Sequence, residues 1–293
     1  MDKMVGIIVY EKAAAEYNQY YIKQYIDEGA ALGLEISLCI YEDLSFGICN
    51  NKEVIRYQGK VLSGVAFAIN RTRESILSRQ FEQIGIPVFN SSIVCEVCNN
   101  KALTYQYLAK SRINMIDTIF LRNDQLKSFL SSCLEECVIK AVHGHGGSQV
   151  CLYQPQTGDV KARQEEILRI IGTEDVVVQP LIIGRRQDLR VYVIGNEIIA
   201  AVLRSAKDDF RANYSLGGSV QLYDLCEKER KIVQKIISLF DFDYVGIDFL
   251  IGQDGELIFN EIEDVVGARM LYQCSDIDVV PLYLAHILEK LVI

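Results

Sequence analysis

The sequence lacks any long apolar run, and this absence limits where the protein can work. No stretch approaches the roughly 20 apolar residues that a membrane-spanning helix needs, although 50% of the chain is hydrophobic. The first residues, MDKMVGIIVY, also lack the extended apolar core of a signal peptide. We therefore expect a globular, cytoplasmic protein with no membrane partner.

Basic residues are in the minority, which bears on the partners that the protein can take. The 30 lysines and arginines stand against 39 aspartates and glutamates, a net charge of -9, and no dense basic block occurs. A nucleic-acid-binding face is therefore not expected. The nine cysteines are odd in number and follow no secretory signal, so they indicate reduced thiols. Cys95-x-x-Cys98 has no second pair at zinc-binding spacing and His143-x-His145 has no evident third ligand, so neither predicts a metal site.

The first hundred residues alternate strand and helix patterns, which predicts a small α/β layer domain in a chain long enough for two or three domains. In order, the patterns are VGIIVY, a helix through roughly Ala14 to Leu32, LEISLCI, VAFAIN and IPVFN. This alternation is typical of a largely parallel sheet. Arg71 and Arg73 follow the VAFAIN strand, at the end where such sheets collect ligands. They either bind a substrate carboxylate or phosphate, or lie in a solvated loop.

The segment VIKAVHGHGGSQV carries a glycine-rich loop directly after an apolar strand that ends in Lys140. Glycines lack the Cβ that keeps a ligand away from backbone N–H groups, and such groups bind anions. The lysine would add a point charge for a phosphate. The alternative is a flexible hairpin tip whose lysine reaches solvent.

Around the loop, the sequence predicts a helix beginning after Asn99 and Asn100, strands at VIK and VCLY, a helix at VKARQEEILRII that ends at Gly172, and a strand at VVVQPLI.

The last third of the chain predicts antiparallel hairpins and an amphipathic helix. Gly195-Asn196, between DLRVYVI and EIIAAVL, favours a two-residue turn. The segment EKERKIVQKIISLF places its apolar residues on one helical stripe.

Three acidic residues in DYVGIDFLIGQDGELIFNEIED predict a metal site. Asp254-Gly255 favours a tight turn, and if the residues that flank this dipeptide pair, Gln253 with Glu256, Asp248 lies directly opposite Glu261. Glu263 then lies on the same face. Like charges placed opposite each other on neighbouring strands repel, so a divalent cation such as Mg²⁺, which prefers a few carboxylates plus phosphate oxygens and water, would compensate. With a four-residue turn the register would change, and the acids would be unrelated surface groups.

Cationic residues elsewhere complete the parts of a nucleotide-phosphate site. Arg204 ends a predicted strand in LRSAKDDFRANYSLGGS, and Arg211 and Asn213 follow in a predicted loop. With Lys101 and Lys140, they suit a triphosphate. No GxxxxGK[ST] motif occurs, so the chain is not a P-loop enzyme.

In this order, the segments resemble the ATP-grasp superfamily, and most closely its RimK-like carboxylate–amine ligases. The resemblance covers nearly two thirds of the chain, from NNKALTYQYLAK through VIKAVHGHGGSQV and VVVQPLIIGRRQDLRVYVIGNEIIAAVLRSAKDDFRAN to GIDFLIGQDGELIFNEIE. It implies an ATP-grasp fold of the α/β (α+β) class in three parts. These are an N-terminal α/β pre-ATP-grasp domain at 1–95, a central subdomain with the glycine-rich loop at 96–181, and a C-terminal subdomain with the metal site at 182–293. ATP would be clamped between the last two.

The resemblance also implies a role for individual residues. Nucleotide contacts are implied for Lys101, Lys140, Gly144, Gly146, Gly147, Ser148, Gln179, Pro180, Leu181, Ile182 and Asp188. Within this set, the backbone at 179–182 would hold the adenine and Asp188 the ribose. Arg204, Arg211 and Asn213 would face the γ-phosphate and the acyl group. Asp248 and Glu261 would bind Mg²⁺ or Mn²⁺, with Glu263 coordinating a second ion.

Three positions depart from the family pattern: Ala141 replaces a proline, Gln149 a glycine and Glu263 an asparagine.

The implied activity is amide or peptide bond formation, in which a carboxylate attacks the γ-phosphate of ATP and an amine then displaces phosphate from the acyl phosphate. Two alternatives stay open, a non-catalytic nucleotide-binding regulatory protein and a phosphotransferase on the same fold. The resemblance implies small-molecule or peptide substrates, with an amino acid such as glutamate as the amine, and is compatible with a homodimer. Arg269 is a further candidate for the substrate pocket.

Overall fold

The N-terminal part of the chain is an α/β layer with a small antiparallel meander beside it. The computed structural model describes residues 4–182, 187–205 and 219–292. Its first elements are β1 (Met4–Tyr10), α1 (Lys12–Tyr17), α2 (Gln19–Ala31), β2 (Leu34–Ile40), β3 (Leu44–Cys49), β4 (Lys52–Tyr57), β5 (Lys60–Val61), β6 (Phe67–Asn70), α3 (Ser75–Gln83), β7 (Val88–Phe89) and α4 (Ser92–Cys98). Strands β2, β1, β6 and β7 pair in that order and are all parallel, as predicted. The predicted single helix is divided at Asn18 into α1 and α2, and the meander β3–β4–β5 was not predicted.

The central part is a four-stranded antiparallel sheet with two helices packed on it. Its elements are α5 (Lys101–Ala109), β8 (Ile119–Leu121), α6 (Asn123–Ser132), β9 (Cys137–Ala141), β10 (Val150–Tyr153), α7 (Val160–Ile171) and β11 (Val176–Pro180). The strand order is β10-β9-β11-β8. The Asn100 side chain accepts a hydrogen bond from the Leu103 N–H at 3.0 Å, which caps α5 at the predicted position. The glycine-rich loop connects β9 to β10, also as predicted.

The C-terminal part is a five-stranded antiparallel sheet that carries most of the charged site residues. Its elements are β12 (Gln187–Ile194), β13 (Glu197–Ser205), β14 (Ser219–Leu222), α8 (Glu227–Ile237), β15 (Tyr244–Ile251), β16 (Leu257–Glu263), α9 (Arg269–Cys274) and α10 (Val279–Val292). The strand order is β14-β13-β12-β15-β16. Ile194 pairs with Glu197, so the predicted two-residue turn at Gly195-Asn196 is confirmed.

Both faces of the C-terminal sheet are covered, which fixes the position of its strands. One face shares a core with the N-terminal sheet, α2 and α10, where the rings of Tyr25, Tyr244 and Tyr283 meet edge to face or tilted. The other face packs on α8 and α5 through residues such as Val233 and Leu108. Burial on two sides holds the strands rigidly enough to fix the positions of the charged side chains that they carry.

The domain boundaries after residues 95 and 181 stay predictions, and the first of them falls inside α4. None of the nine cysteines forms a disulfide. No helix in the described ranges is both long enough and apolar enough to cross a membrane.

Candidate active site

The turn of the β15–β16 hairpin differs from the prediction. The loop has three residues, 253–255, rather than two, because the Gly252 N–H donates to the Glu256 carbonyl at 2.9 Å. The predicted pairing of Gln253 with Glu256 is therefore wrong. Gly255 takes a left-handed φ of 81°, the conformation that a three-residue hairpin loop requires at its last position.

A bulge restores the predicted opposition of the two acids. Phe249 pairs with Phe259, whereas Asp248 pairs with Glu261, so Asn260 is an extra residue in β16. With the longer loop alone, Glu261 would not lie opposite Asp248. A changed register of this kind is what the alternative interpretation, with a four-residue turn, predicted. The bulge cancels that shift and also turns the Asn260 amide into the cleft, where its Oδ1 accepts from the Lys140 ammonium at 2.8 Å.

Asp248, Glu261 and Glu263 form the predicted acidic cluster. Each offers a carboxylate oxygen, and these oxygens all lie within 4.8 Å of one another. Asp248 is buried, whereas the Glu261 and Glu263 side chains are 31% and 36% exposed. A set of hard oxygen ligands with an open side suits Mg²⁺, which keeps room for water and phosphate oxygens.

Two arginines already neutralise part of this cluster. Arg190, directly opposite Asp248 on β12, donates to both of its oxygens at 2.7 and 2.6 Å and reaches Glu263 Oε1 at 2.9 Å. Arg204 donates to Asp248 Oδ2 at 2.8 Å and to Asp188 Oδ2 at 2.6 Å. Burial would raise the pKa of Asp248, but the two arginines outweigh it and lower that pKa to about 2. Asp248 is therefore ionised at neutral pH, with lone pairs left for a cation.

Arg190 is a site residue that the sequence analysis missed. The signal was present, because Arg190 lies two residues after Asp188 in an otherwise apolar strand and so shares its face. A charged residue inside such a strand needs a charged partner when both faces are buried.

A cleft of about 810 Å³, its open mouth included, lies between the central and C-terminal sheets. Nearly all the residues predicted to contact a nucleotide line it: Lys101, Lys140, Gly144, Gly146, Gly147, Gln179, Pro180, Leu181, Ile182 and Asp188. Glu261 lies on the same wall. The exception is Ser148, whose hydroxyl donates to the His145 carbonyl at 3.0 Å. The apolar walls at Ile116, Val138, Val150 and Leu250 were not predicted.

Both lysines line the cleft, close to Glu261 of the acidic cluster. Lys101 donates to the Gly144 carbonyl and lies 3.5 Å from Glu261 Oε2. Burial lowers the pKa of Lys140 to about 8, a shift that Glu261 opposes and Lys101 reinforces. Since the Lys140 ammonium contacts Asn260 inside the cleft, the interpretation of a lysine that reaches solvent is wrong.

The glycine-rich loop has the backbone that its sequence requires. Gly146 and Gly147 have left-handed φ values of 60° and 76°, which side chains disfavour. Burial lowers the pKa of His145 to about 3, with Arg73 and Lys101 adding to the effect, so this imidazole is neutral near pH 7.

Of the residues predicted to face the transferred group, the structure describes Arg204. Arg204 is buried between Asp188 and Asp248 and lies behind the acidic cluster. Arg211 and Asn213 lie outside the described residues. The Asp188 carboxylate is engaged by Arg204, although the residue lines the cleft, so its ribose contact stays a prediction.

The two N-terminal arginines also differ from each other. Arg71 is buried and donates to the Val266 carbonyl at 2.7 Å, so it does not lie in a solvated loop. Arg73 is exposed and lines a small cavity that it shares with His145 and Glu263. Substrate contacts by either residue stay a prediction.

Comparisons with known proteins agree with the predicted fold and family. Residues 98–287 match the model of the RimK-like ATP-grasp domain. A probable alpha-L-glutamate ligase of Vibrio vulnificus is 28% identical over 273 residues, which cover 89% of each chain. A RimK domain ATP-grasp protein of Sphaerobacter thermophilus superposes with a TM-score of 0.70 at 16% identity, covering 97% of this chain and 99% of that one. The ATP-grasp ligase PsnB, in complex with a phosphomimetic variant of its minimal precursor, Mg and ADP, gives a TM-score of 0.67 at 17% identity over 99% of both chains.

Proposed function

The chain belongs to the RimK-like ATP-grasp family and is an ATP-dependent carboxylate–amine ligase, and from this premise we propose which residues carry the reaction. The cleft would bind ATP together with Mg²⁺, and the product would be an amide or peptide bond. The observation that carries the proposal is the group of three carboxylate oxygens within 4.8 Å of one another, one of which belongs to Glu261, a residue that lines the cleft together with two lysines.

The acidic cluster fits a magnesium ion by the chemistry of its donors. Asp248, Glu261 and Glu263 would hold the ion, and Asp248 would do so with the oxygen lone pairs that Arg190 and Arg204 leave available. When bound, Mg²⁺ supplies positive charge to the phosphate oxygens. Mg and ADP are present in the complex of the PsnB ligase, a structural neighbour.

The remaining residues would bind and orient the nucleotide. The backbone at 179–182, which lines the cleft, would hold the adenine. Lys101 and Lys140 would donate to phosphate oxygens, and the loop that carries Gly146 would cover them and exclude water from the acyl phosphate. Arg204, with Arg211 and Asn213 of the segment outside the described residues, would act on the transferred group.

The substrates would be an acid and an amino-acid or peptide amine. L-glutamate is the first amine to test, because relatives 28% identical to this chain are named as probable alpha-L-glutamate ligases. We also propose that the protein works in the cytoplasm, where nine cysteines without disulfides remain reduced, and that the predicted central and C-terminal subdomains form the clamp.

The proposal is tested by ADP release. Purified protein is incubated with Mg·ATP, a panel of peptide and small-molecule acids, and L-glutamate or no amine. ADP and an amide product that form only with both substrates are expected. ADP with the acid alone and a stable phosphorylated product would indicate a phosphotransferase, and ATP binding without ADP under all conditions would indicate a regulatory protein.

A further inference from the structure

A second cavity lies on the other side of the acidic cluster. It measures about 1110 Å³, its open mouth included, and is bounded by the α1–α2 junction and the beginning of α9. Arg190 and Glu263 form its inner end, whereas Tyr17, Tyr21, Arg269 and Tyr272 form its walls. Gly146 of the glycine-rich loop lines both this cavity and the nucleotide cleft, so the two spaces meet at the proposed reaction centre.

Arg269 is the cation of this cavity that lacks a carboxylate partner in the described part of the chain. Arg190 and Arg204, which also line it, are ion-paired to acids at 2.6 to 2.9 Å. The Arg269 guanidinium instead lies 3.9 Å from the centre of the Tyr17 ring. Its Nη2 donates to the Tyr17 carbonyl and to Asn18 Oδ1, at 3.2 and 3.1 Å. A guanidinium has five N–H donors, so three of them remain for a ligand.

The stacking on Tyr17 holds this donor group in place before a ligand arrives. A guanidinium fixed over an aromatic ring loses less conformational freedom when it binds a carboxylate in a fork-shaped contact. Gln24, another residue of this cavity, also has an unused hydrogen-bonding group. Its Oε1 has no hydrogen-bond partner among the described residues, and an amide oxygen can accept from an N–H group.

We propose that this cavity binds the amine substrate as an amino acid or the amino-terminal residue of an acidic peptide, and that Arg269 binds a carboxylate of this substrate that does not react. This inference rests on the proposed function and specifies its amine. The reacting amine would point towards the inner end, at Glu263 and Arg190, and the non-reacting carboxylate towards the mouth. Arg269 is thus a specificity-determining residue of the ligase.

The test compares substrates that differ only in the carboxylate. Wild-type, R269Q and R269K proteins are assayed with L-glutamate, L-glutamine and the α-amide of L-glutamate, by amide formation and by calorimetric binding in the presence of Mg·ADP. R122Q, a change at an exposed arginine whose side chain is 75% exposed, is the matched control.

The R269Q change should raise KM and Kd for whichever substrate carries the recognised carboxylate by about 10- to 100-fold, the range for loss of a charge-assisted hydrogen bond. It should leave kcat and the constants for the corresponding amide nearly unchanged, and R269K should be intermediate because it keeps the charge without the fork.

A structural role for Arg269 predicts a different pattern. If Arg269 only fixes the α1–α2 junction through Tyr17 and Asn18, R269Q should lower Tm and weaken the binding of L-glutamate and of both amides equally. That result would overturn the inference. The inference would also be overturned if wild-type protein did not bind L-glutamate, or if it bound both L-glutamine and the α-amide as tightly as L-glutamate. Failure of the proposed function is recognised separately, because wild-type protein would then release no ADP with any pair of acid and amine.

Discussion

Lys140 allows the electrostatics of the cleft to be tested through pH. Burial lowers its pKa to about 8, so the ammonium is charged at pH 7.5 but increasingly neutral above pH 8. ATP needs the charged form, and bound phosphates would raise this pKa, so binding should take up a proton as the pH rises. At pH 9 about one molecule in ten carries the charge, and the Kd for a non-hydrolysable ATP analogue should be about tenfold weaker than at pH 7.5.

Two variants separate the charge from its titration. In K140M the contact is lost, which should weaken binding at pH 7.5 by roughly 1.5 to 3 kcal/mol, or about 10- to 100-fold, with little further change up to pH 9. In K140R the charge persists, so Kd should stay nearly constant across the range. The assay is titration calorimetry with Mg²⁺ and the analogue, in two buffers of different ionisation enthalpy so that proton uptake is counted. The reasoning is refuted if the wild-type Kd is constant from pH 7.5 to 9.5, or if K140M weakens as steeply as the wild type.

Further predictions concern the acidic cluster and its support. E261Q should leave the circular dichroism melt unchanged but remove ADP release, and full turnover at saturating Mg²⁺ would contradict the metal assignment. D248N should lower the free energy of unfolding by about 2 to 3 kcal/mol at neutral pH in urea titrations, since its pKa is depressed to about 2. That contribution should be complete above about pH 4 and lost as the pH falls through about 2, so an equal difference at all pH values would argue against it. G246A should destabilise the fold by about 1 to 3 kcal/mol, because a Cβ there would lie 2.7 Å from Val266 Cγ2; V266A in the same chain should relieve the clash.

Local patterns in the sequence predicted most of the fold. The cap at Asn100 and the turn at Gly195-Asn196 depend on neighbouring residues, and the parallel pairing of the N-terminal strands depends on the alternation of strands and helices; all three are confirmed. The meander β3–β4–β5 was missed because Ile55 is the one fully buried residue of its three strands, so they lack the buried alternation that identifies a strand.

Contacts between distant segments could not be predicted from local sequence patterns. Arg190 and Arg204 neutralise Asp248 across two strand pairings, and this set is visible only when the register is known. The same holds for Asn260. Strand alternation predicts that consecutive residues point to opposite faces, but the bulge lets Asn260 and Glu261 both line the nucleotide cleft, so a count of every second residue discards one of them.

The neutralised cleft has a consequence for how the protein responds to ionic strength. Among the described residues, four acids (Asp188, Asp248, Glu261 and Glu263) are matched by four cations (Lys101, Lys140, Arg190 and Arg204) within hydrogen-bonding or ion-pairing networks. Such a surface presents little net field beyond a Debye length of about 8 Å in physiological salt, so long-range attraction contributes little to nucleotide capture. We expect the association rate to vary weakly between low and high salt, and selectivity to arise after the ligand has entered.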